Sequence, residues 1–239
     1  MSLVIANAPI TPSKENDASN ISKYKNEVLA LAGDFLAGSS YRPGVLTRTQ
    51  VGRPISSFYG LQVTGFDDNG RFTYADLDNS GDTNDADRDF IGSPHPDFTY
   101  GFNLNLGYKG FDVSAFINGS VGNDIYNYEK IFTDFPTFVN ANRSVRVLDS
   151  WTPSNTNASL PALSLGGQNE TAPSSHFVED GSFLRLRNLQ IGYSLPDTVM
   201  DKIGFSSLRL YVQGSNLFTI TGYDGFDPEI NTTQVPGVS

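Results

Sequence analysis

An all-β chain built from antiparallel ribbons is the fold class this sequence predicts, and three observations predict it. The first is strict alternation. In DFTYGFNLNLGY, Phe98, Tyr100, Phe102, Leu104, Leu106 and Tyr108 fall on one face, and Thr99, Gly101, Asn103, Asn105 and Gly107 on the other, which is the period of a strand. The second is the punctuation that follows: Lys109–Gly110 is a two-residue hairpin turn, with Gly110 supplying a positive φ. The third is composition, with 23 Gly, 17 Phe and 11 Tyr among 239 residues, a mixture that favours strands and turns over helices.

Each element follows from its local pattern. Two weaker strands are expected within 22–31 (SKYKNEVLAL) and 53–66 (RPISSFYGLQVTGF). The ribbon at 98–108 is the strongest. Its return strand, FDVSAFINGSVG, places Phe111, Val113, Ala115, Ile117 and Val121 on one face against Asp112, Ser114, Asn118 and Ser120, with Phe116 breaking the pattern. Farther on, SFLRLRNLQIGYSLP changes parity midway. Leu184 and Leu186 share one face, then Leu189, Ile191, Tyr193 and Leu195 do, which a β-bulge near Arg187–Asn188 would reconcile. After a turn over 196–206, Leu208, Leu210 and Val212 oppose Arg209, Tyr211 and Gln213. The expectation is about six antiparallel strands, joined by short turns and by two long connections, 67–96 and 123–182.

Two environments explain such strands. In a soluble β-sandwich the apolar face packs on a second sheet. In a membrane barrel it meets lipid, aromatic residues gather at the two interfaces, and the polar face lines a lumen. Strands about 11 residues long, aromatics at the strand ends, Gly and Asn opposite, and short turns alternating with long loops favour an antiparallel transmembrane β-barrel segment. The alternative is a secreted, calcium-stabilised sandwich that holds glycans.

Composition closes off other classes. A formal net charge of −10 argues against a nucleic-acid partner, because phosphate neutralisation needs clustered cations. The absence of cysteine removes disulfides, thiol nucleophiles and zinc–thiolate sites. No apolar run reaches the ~18 residues of a membrane helix, and MSLVIANAPITPS lacks the basic start and long apolar core of a signal peptide. Residues 1–19 are therefore read as an unassigned leader or cloning-derived segment, and 20–239 as the folded portion.

One stretch carries metal chemistry. Residues 76–87, DLDNSGDTNDAD, hold Asp76, Asp78, Asp82, Asp85 and Asp87, a charge density that a bound cation would relieve. Counted from Asp76, oxygen-bearing side chains stand at positions 1, 3 and 5 (Asp76, Asp78, Ser80), a glycine at 6 (Gly81) and a carboxylate at 12 (Asp87). That is the rhythm of a calcium loop, in which position 7 (Asp82) offers its backbone carbonyl and position 9 (Asn84) acts through water. Aspartate in place of glutamate at position 12 shortens the arm and predicts weaker binding. The expected ion is Ca2+ in a structural role; a solvated acidic loop with Asx-turns is the competing reading.

No catalytic constellation is legible. His95 and His176 lie in separate loops without a nucleophile or orienting partner, so the chain is not expected to be an enzyme. Trp151 in DSWTPS reads as a turn-packing aromatic, with stacking on a sugar as the alternative. Tyr126, Tyr128 and Phe132 fit either loop packing or a ligand path. Arg185 and Arg187 have the parity of the polar face.

Five phrases in order, RPISSFYGLQVTGF, DRDFIGSPHPDFTYGFNLNLGYKGFDVSAFINGSVGNDIYN, SWTPSNTNASLPAL, DGSFLRLRNLQIGYSLP and LRLYVQGSNLFTITGYDGFDPEI, resemble the C-terminal barrel portion of SusC/RagA-type TonB-dependent outer-membrane transporters of Bacteroidetes. The resemblance covers roughly residues 20–232. It implies a segment of a large plugged barrel in the outer membrane, served by a SusD-like surface lipoprotein and by TonB, and importing oligosaccharides or peptides. It also implies that the tight turns face the periplasm and that loops 67–96 and 123–182 face outward. By that pattern the plug, the TonB-contacting segment and the closing strand are not recognised within the chain, so the segment is not expected to transport alone.

Overall fold

The computed structural model describes residues 2–6, 18–38, 40–41, 44–136, 142–164 and 169–229. In chain order, the strands are β1 (Ser2–Ala6), β2 (Ala18–Ser22), β3 (Phe35–Ala37), β4 (Ser40–Tyr41), β5 (Gly44–Val45), β6 (Thr47–Gln50), β7 (Ser57–Leu61) and β8 (Val63–Phe66). They continue as β9 (Phe72–Tyr74), β10 (Arg88–Gly92), β11 (Phe98–Tyr108), β12 (Phe111–Val121), β13 (Asp124–Tyr126), β14 (Val178–Asp180), β15 (Phe183–Ser194) and β16 (Arg209–Thr221). Two short helices, α1 (Lys130–Thr133) and α2 (Asp197–Ile203), complete the set. The chain divides into two compact units.

Unit 1 gathers the described parts of 1–24, 97–121 and 182–221 into one antiparallel sheet, ordered β1-β16-β15-β12-β11-β2. Its four long strands run 11, 11, 12 and 13 residues, the length a tilted strand needs to cross a bilayer. Register makes the two faces chemically distinct. One row runs Leu106, Val113, Ile191 and Val212 across four strands; the next runs Asn105, Ser114, Gln190 and Gln213. Aromatic residues sit at both ends of the ribbon. Tyr108 pairs with Phe111 and Phe111 with Tyr193, their rings 4.5 Å apart, while Phe98 and Tyr100 lie at the other end.

The two strand breaks have local causes. Lys109 and Gly110 both take positive φ (46° and 87°), so the hairpin turn is of the primed type whose twist matches the strands. At the expected bulge, register slips between Leu186 and Asn188 on both neighbours of β15, leaving Arg187 as the extra residue. Leu184 and Leu186 thereby return to the apolar face beside Gly119 and Ile117. The turn expected over 196–206 contains α2. Pro196 fixes its entry, Asp197 and Lys202 complement the helix ends, and Gly204 closes it in the left-handed region.

Among the described residues, large apolar side chains of unit 1 stay exposed. Tyr108 is 71% exposed, Phe111 55%, Ile191 49% and Ile220 65%, which the sandwich alternative would not leave in contact with solvent. These strands form a segment of an antiparallel transmembrane β-barrel.

The upstream strands differ from expectation. β2 ends where the first was placed, and residues 23–31 form no strand. The stretch 53–66 yields β7 and β8, which belong to unit 2, not the wall. Pro54 and the positive φ of Ser56 and Gly65 break it into short pieces, and β7 is buried on both faces at Phe58 and Leu61 as well as Ser57. Of the leader expected over 1–19, only Ser2–Ala6 and Ala18–Ser19 are among the described residues.

Unit 2 comprises the described parts of 25–96, 122–181 and 222–239, and so absorbs both long connections. It has its own core of Leu46, Phe58, Phe72, Tyr126, Ile131, Phe135 and Phe177. Burying each such side chain contributes about 1.5–3 kcal/mol, enough in sum to order segments that read as loops. Ion pairs, each with a largely buried carboxylate, join separate segments: Lys130 to Glu179 at 2.6 Å, Arg71 to Glu170 at 2.5 Å, and Arg146 to Asp134 at 3.0 Å.

Candidate functional site

The acidic loop lies in unit 2 between β9 and β10. Two left-handed residues, Asn79 and Gly81, fold it back on itself. A 3-10 turn, Asp85–Asp87, ends it, with Asn84 as cap: its side chain accepts from the Ala86 N–H while the Asp87 carboxylate accepts from the Asn84 N–H. Arg88 reaches back to Asp85 at 3.1 Å.

The carboxylates of Asp76, Asp78 and Asp87 converge, each offering an oxygen within 4.8 Å of the others. Asp76 accepts from the N–H of Ser80 and of Gly81. Asp78 accepts from the Ser80 N–H at 2.9 Å, and hydrogen bonding from Ser80 holds its carboxyl below the usual carboxylate range. Asp87 is fully buried and accepts from the N–H groups of Leu77 and Asn84, both at 2.8 Å. The Ser80 hydroxyl donates to the Asp82 carbonyl, as does the Asn84 amide.

The donor set consists of hard oxygens, and it includes a buried carboxylate whose partners among the described residues are neutral N–H groups. A buried anion of that kind is costly without a cation. These residues fit a calcium-sized ion; Asp76, Asp78 and Asp87 would supply carboxylates and Asp82 its carbonyl.

The remaining candidates separate by burial. Tyr126 is fully buried, and Tyr128 and Phe132 pack edge to face at 5.4 Å beside the core, so they serve packing. His95 Nε2 sits 2.8 Å from the Ile55 carbonyl. His176 is enclosed by Phe72, Phe135 and Phe177, and burial pushes its pKa down to about 4. Arg185 donates from Nε to the Thr219 hydroxyl at 2.9 Å across the polar face. Arg187 occupies the bulge. The sequence reading missed the polar-face ion pair of Asp112 with Arg209, whose residues lie 97 positions apart.

Comparison with known proteins follows the same lines. No family model matches the chain. It is 39% identical over 235 residues to TonB-dependent receptor P3 of Formosa agariphila, covering 90% of this chain and 23% of that protein. It is 31% identical over 228 residues to TonB-dependent receptor SusC of Bacteroides thetaiotaomicron, covering 89% of this chain and 22% of SusC. Among solved structures, the RagAB peptide transporter superposes with a TM-score of 0.75 at 26% identity, covering 93% of this chain and 24% of that one. The chain therefore spans about a quarter of the length of the relatives it matches.

Proposed function

Because the chain is a segment of a SusC/RagA-type TonB-dependent receptor, we propose that it forms part of the wall and outer loops of an outer-membrane importer that takes up oligosaccharides or peptides with energy passed on by TonB. The observation that carries this reading is the exposed apolar face of unit 1. Four hydrogen-bonded strands present Leu106, Val113, Ile191 and Val212 outward in one row, the arrangement that lipid rewards and water penalises. The polar rows face the lumen.

The loop at Asp76–Asp87 binds Ca2+ and stiffens unit 2; the ion has a structural role. A SusD-like lipoprotein meets unit 2 at Val145, Leu148 and Phe226, which are 82%, 89% and 92% exposed. Their segments are tied together by Arg146, which contacts Asp224 at 3.8 Å. Such side chains favour a partner's apolar surface over water.

The direct test is uptake. Cells that depend on the full receptor are given fluorescent oligosaccharides or peptides, with and without the receptor gene and with and without TonB. Entry that needs both supports the importer. Entry of every probe at the same rate without the receptor contradicts it.

A further inference from the structure

Unit 2 carries a second site that the import reading does not use. An open cleft of about 620 Å3 lies between the tip of the β8–β9 hairpin and the 151–158 loop. Its walls include Phe66, Asp68, Trp151, Pro153, Thr156 and Asn157. That volume falls within the range of small-molecule sites.

The cleft is built, not incidental. Trp151 packs against the backbone of Gly70, where an added Cβ would collide with the indole. The Trp151 backbone N–H donates to the Leu160 carbonyl at 2.8 Å within the same segment, and the Ala162 N–H donates to the Gly70 carbonyl at 2.8 Å, which ties that segment to the hairpin. Asp149 anchors the loop by accepting from the Asn155 amide and the Ser159 N–H, both at 3.0 Å. Those hydrogen bonds, Ser159 foremost, hold the Asp149 carboxyl below its ordinary range. Asp67 is occupied by the hairpin turn, accepting from the N–H groups of Asn69 and Arg71. By contrast, among the described residues the side chains of Asp68, Thr156 and Asn157 are exposed and make no hydrogen bond to the protein.

We propose that this cleft binds a neutral saccharide, one sugar ring lying against Trp151 and its hydroxyls bonding to Asp68, Thr156 and Asn157. An aromatic platform takes the apolar C–H face of a pyranose. A free carboxylate, a hydroxyl and an amide supply acceptors and donors at its polar edge. Peptide chains gain less from a single platform with side-chain acceptors, and the carboxylates at the rim, in a chain of net charge −10, repel sulfated or uronic saccharides. The site rests on its own geometry and stands whether or not what it binds is imported.

The test uses the full-length receptor in a zwitterionic detergent free of sugar headgroups, titrated calorimetrically with neutral hexasaccharides of glucose, mannose, galactose and xylose. Sulfated hexasaccharides and hexapeptides serve as controls. At least one neutral sugar should bind, and Trp151→Ala should weaken it ~10-fold, as should the exposed pair Thr156→Ala/Asn157→Ala, roughly 5-fold. The second variant leaves the Gly70 packing intact, so it separates ligand contact from loss of fold. No binding of any neutral probe at 10-fold above millimolar concentration, binding unchanged in both variants, or tighter binding of the peptide or sulfated controls would overturn the proposal. Import is measured separately, so an importer that fails here and a saccharide binder that does not import give different results.

Discussion

Asp112 on β12 and Arg209 on β16 grip each other across the intervening strand, above Gly192 of β15. The Arg209 Nε–H donates to the Asp112 carboxylate at 2.9 Å, and a second guanidinium N–H completes a fork. A Cβ at residue 192 would lie 2.5 Å from the guanidinium and 2.6 Å from the carboxylate. Glycine there opens the gap through which two non-adjacent strands are tied on the polar face. The pair is part-exposed, so its coupling is modest: a double-mutant cycle of Asp112→Ala and Arg209→Ala should give ~0.5–1 kcal/mol. Gly192→Ala should destabilise by more than either single change, because the added Cβ displaces both members of the pair at once. Urea unfolding of the refolded receptor in micelles reads all four.

Calcium binding at the 76–87 loop, as proposed, predicts a metal-dependent melting temperature. Ion at 100-fold its dissociation constant stabilises the state that binds it by ~2.7 kcal/mol. Calcium should therefore raise the unfolding temperature of unit 2, and chelator should lower it. Asp78→Ala should abolish the difference, and Asp87→Ala should do so at a further cost in stability, since Leu77 and Asn84 then lose their acceptor. Equal melting with calcium and chelator would remove the metal.

Acid should loosen unit 2 through His176. Burial among Phe72, Phe135 and Phe177 depresses the folded pKa to about 4, against an ordinary value near 6.5. Protons then bind the unfolded state first, so stability is full above ~6.5 and falls as pH drops from there towards 4, by on the order of 3 kcal/mol. Glu179 adds to the loss at lower pH. Its carboxyl is held below the usual range, with Lys130 and the Asp224 N–H outweighing its burial, so its contribution disappears as pH falls through that depressed value. His176→Phe should flatten the upper part of the profile. Thermal melts between pH 7 and 4 decide it.

Charge placed on the exposed apolar residues should weaken the proposed lipoprotein contact without unfolding the receptor. Leu148→Glu and Phe226→Glu remove apolar area that is already solvent-facing in the isolated chain, so stability should change by less than ~0.5 kcal/mol. Recovery of the lipoprotein with the tagged receptor should fall several-fold. Unchanged recovery in both variants would place the partner elsewhere.

How much of this the sequence revealed depends on how local the signal was. The wall strands were legible because period-2 alternation is written into consecutive residues, and the parity change between Leu186 and Leu189 located the bulge at Arg187. Its counterpart on β16, where Asn216 turns to positive φ, left no such mark, since Gly214–Leu217 still reads as ordinary strand. Unit 2 was illegible for the opposite reason. Its core joins Leu46 to Phe177, and its ion pairs join Arg71 to Glu170 and Arg146 to Asp224; no window of sequence contains both partners. The acidic loop falls between these cases. Spacing singled out Asp76, Asp78 and Asp87 among five aspartates, but only the fold shows that these three converge, with Asp87 buried and Asp82 exposed.

The claim beneath all of this is that one side of the long ribbons touches acyl chains. The chain contains no cysteine, so single cysteines can be placed in the corresponding positions of the full receptor, spin-labelled and reconstituted into bilayers. The two rows to compare are Leu106, Val113, Ile191 and Val212 against Asn105, Ser114, Gln190 and Gln213. Labels in the first row should relax strongly with dissolved oxygen and weakly with a water-soluble nickel chelate, and labels in the second row the reverse. Equal responses in the two rows, or a first row shielded from both reagents, would contradict the account.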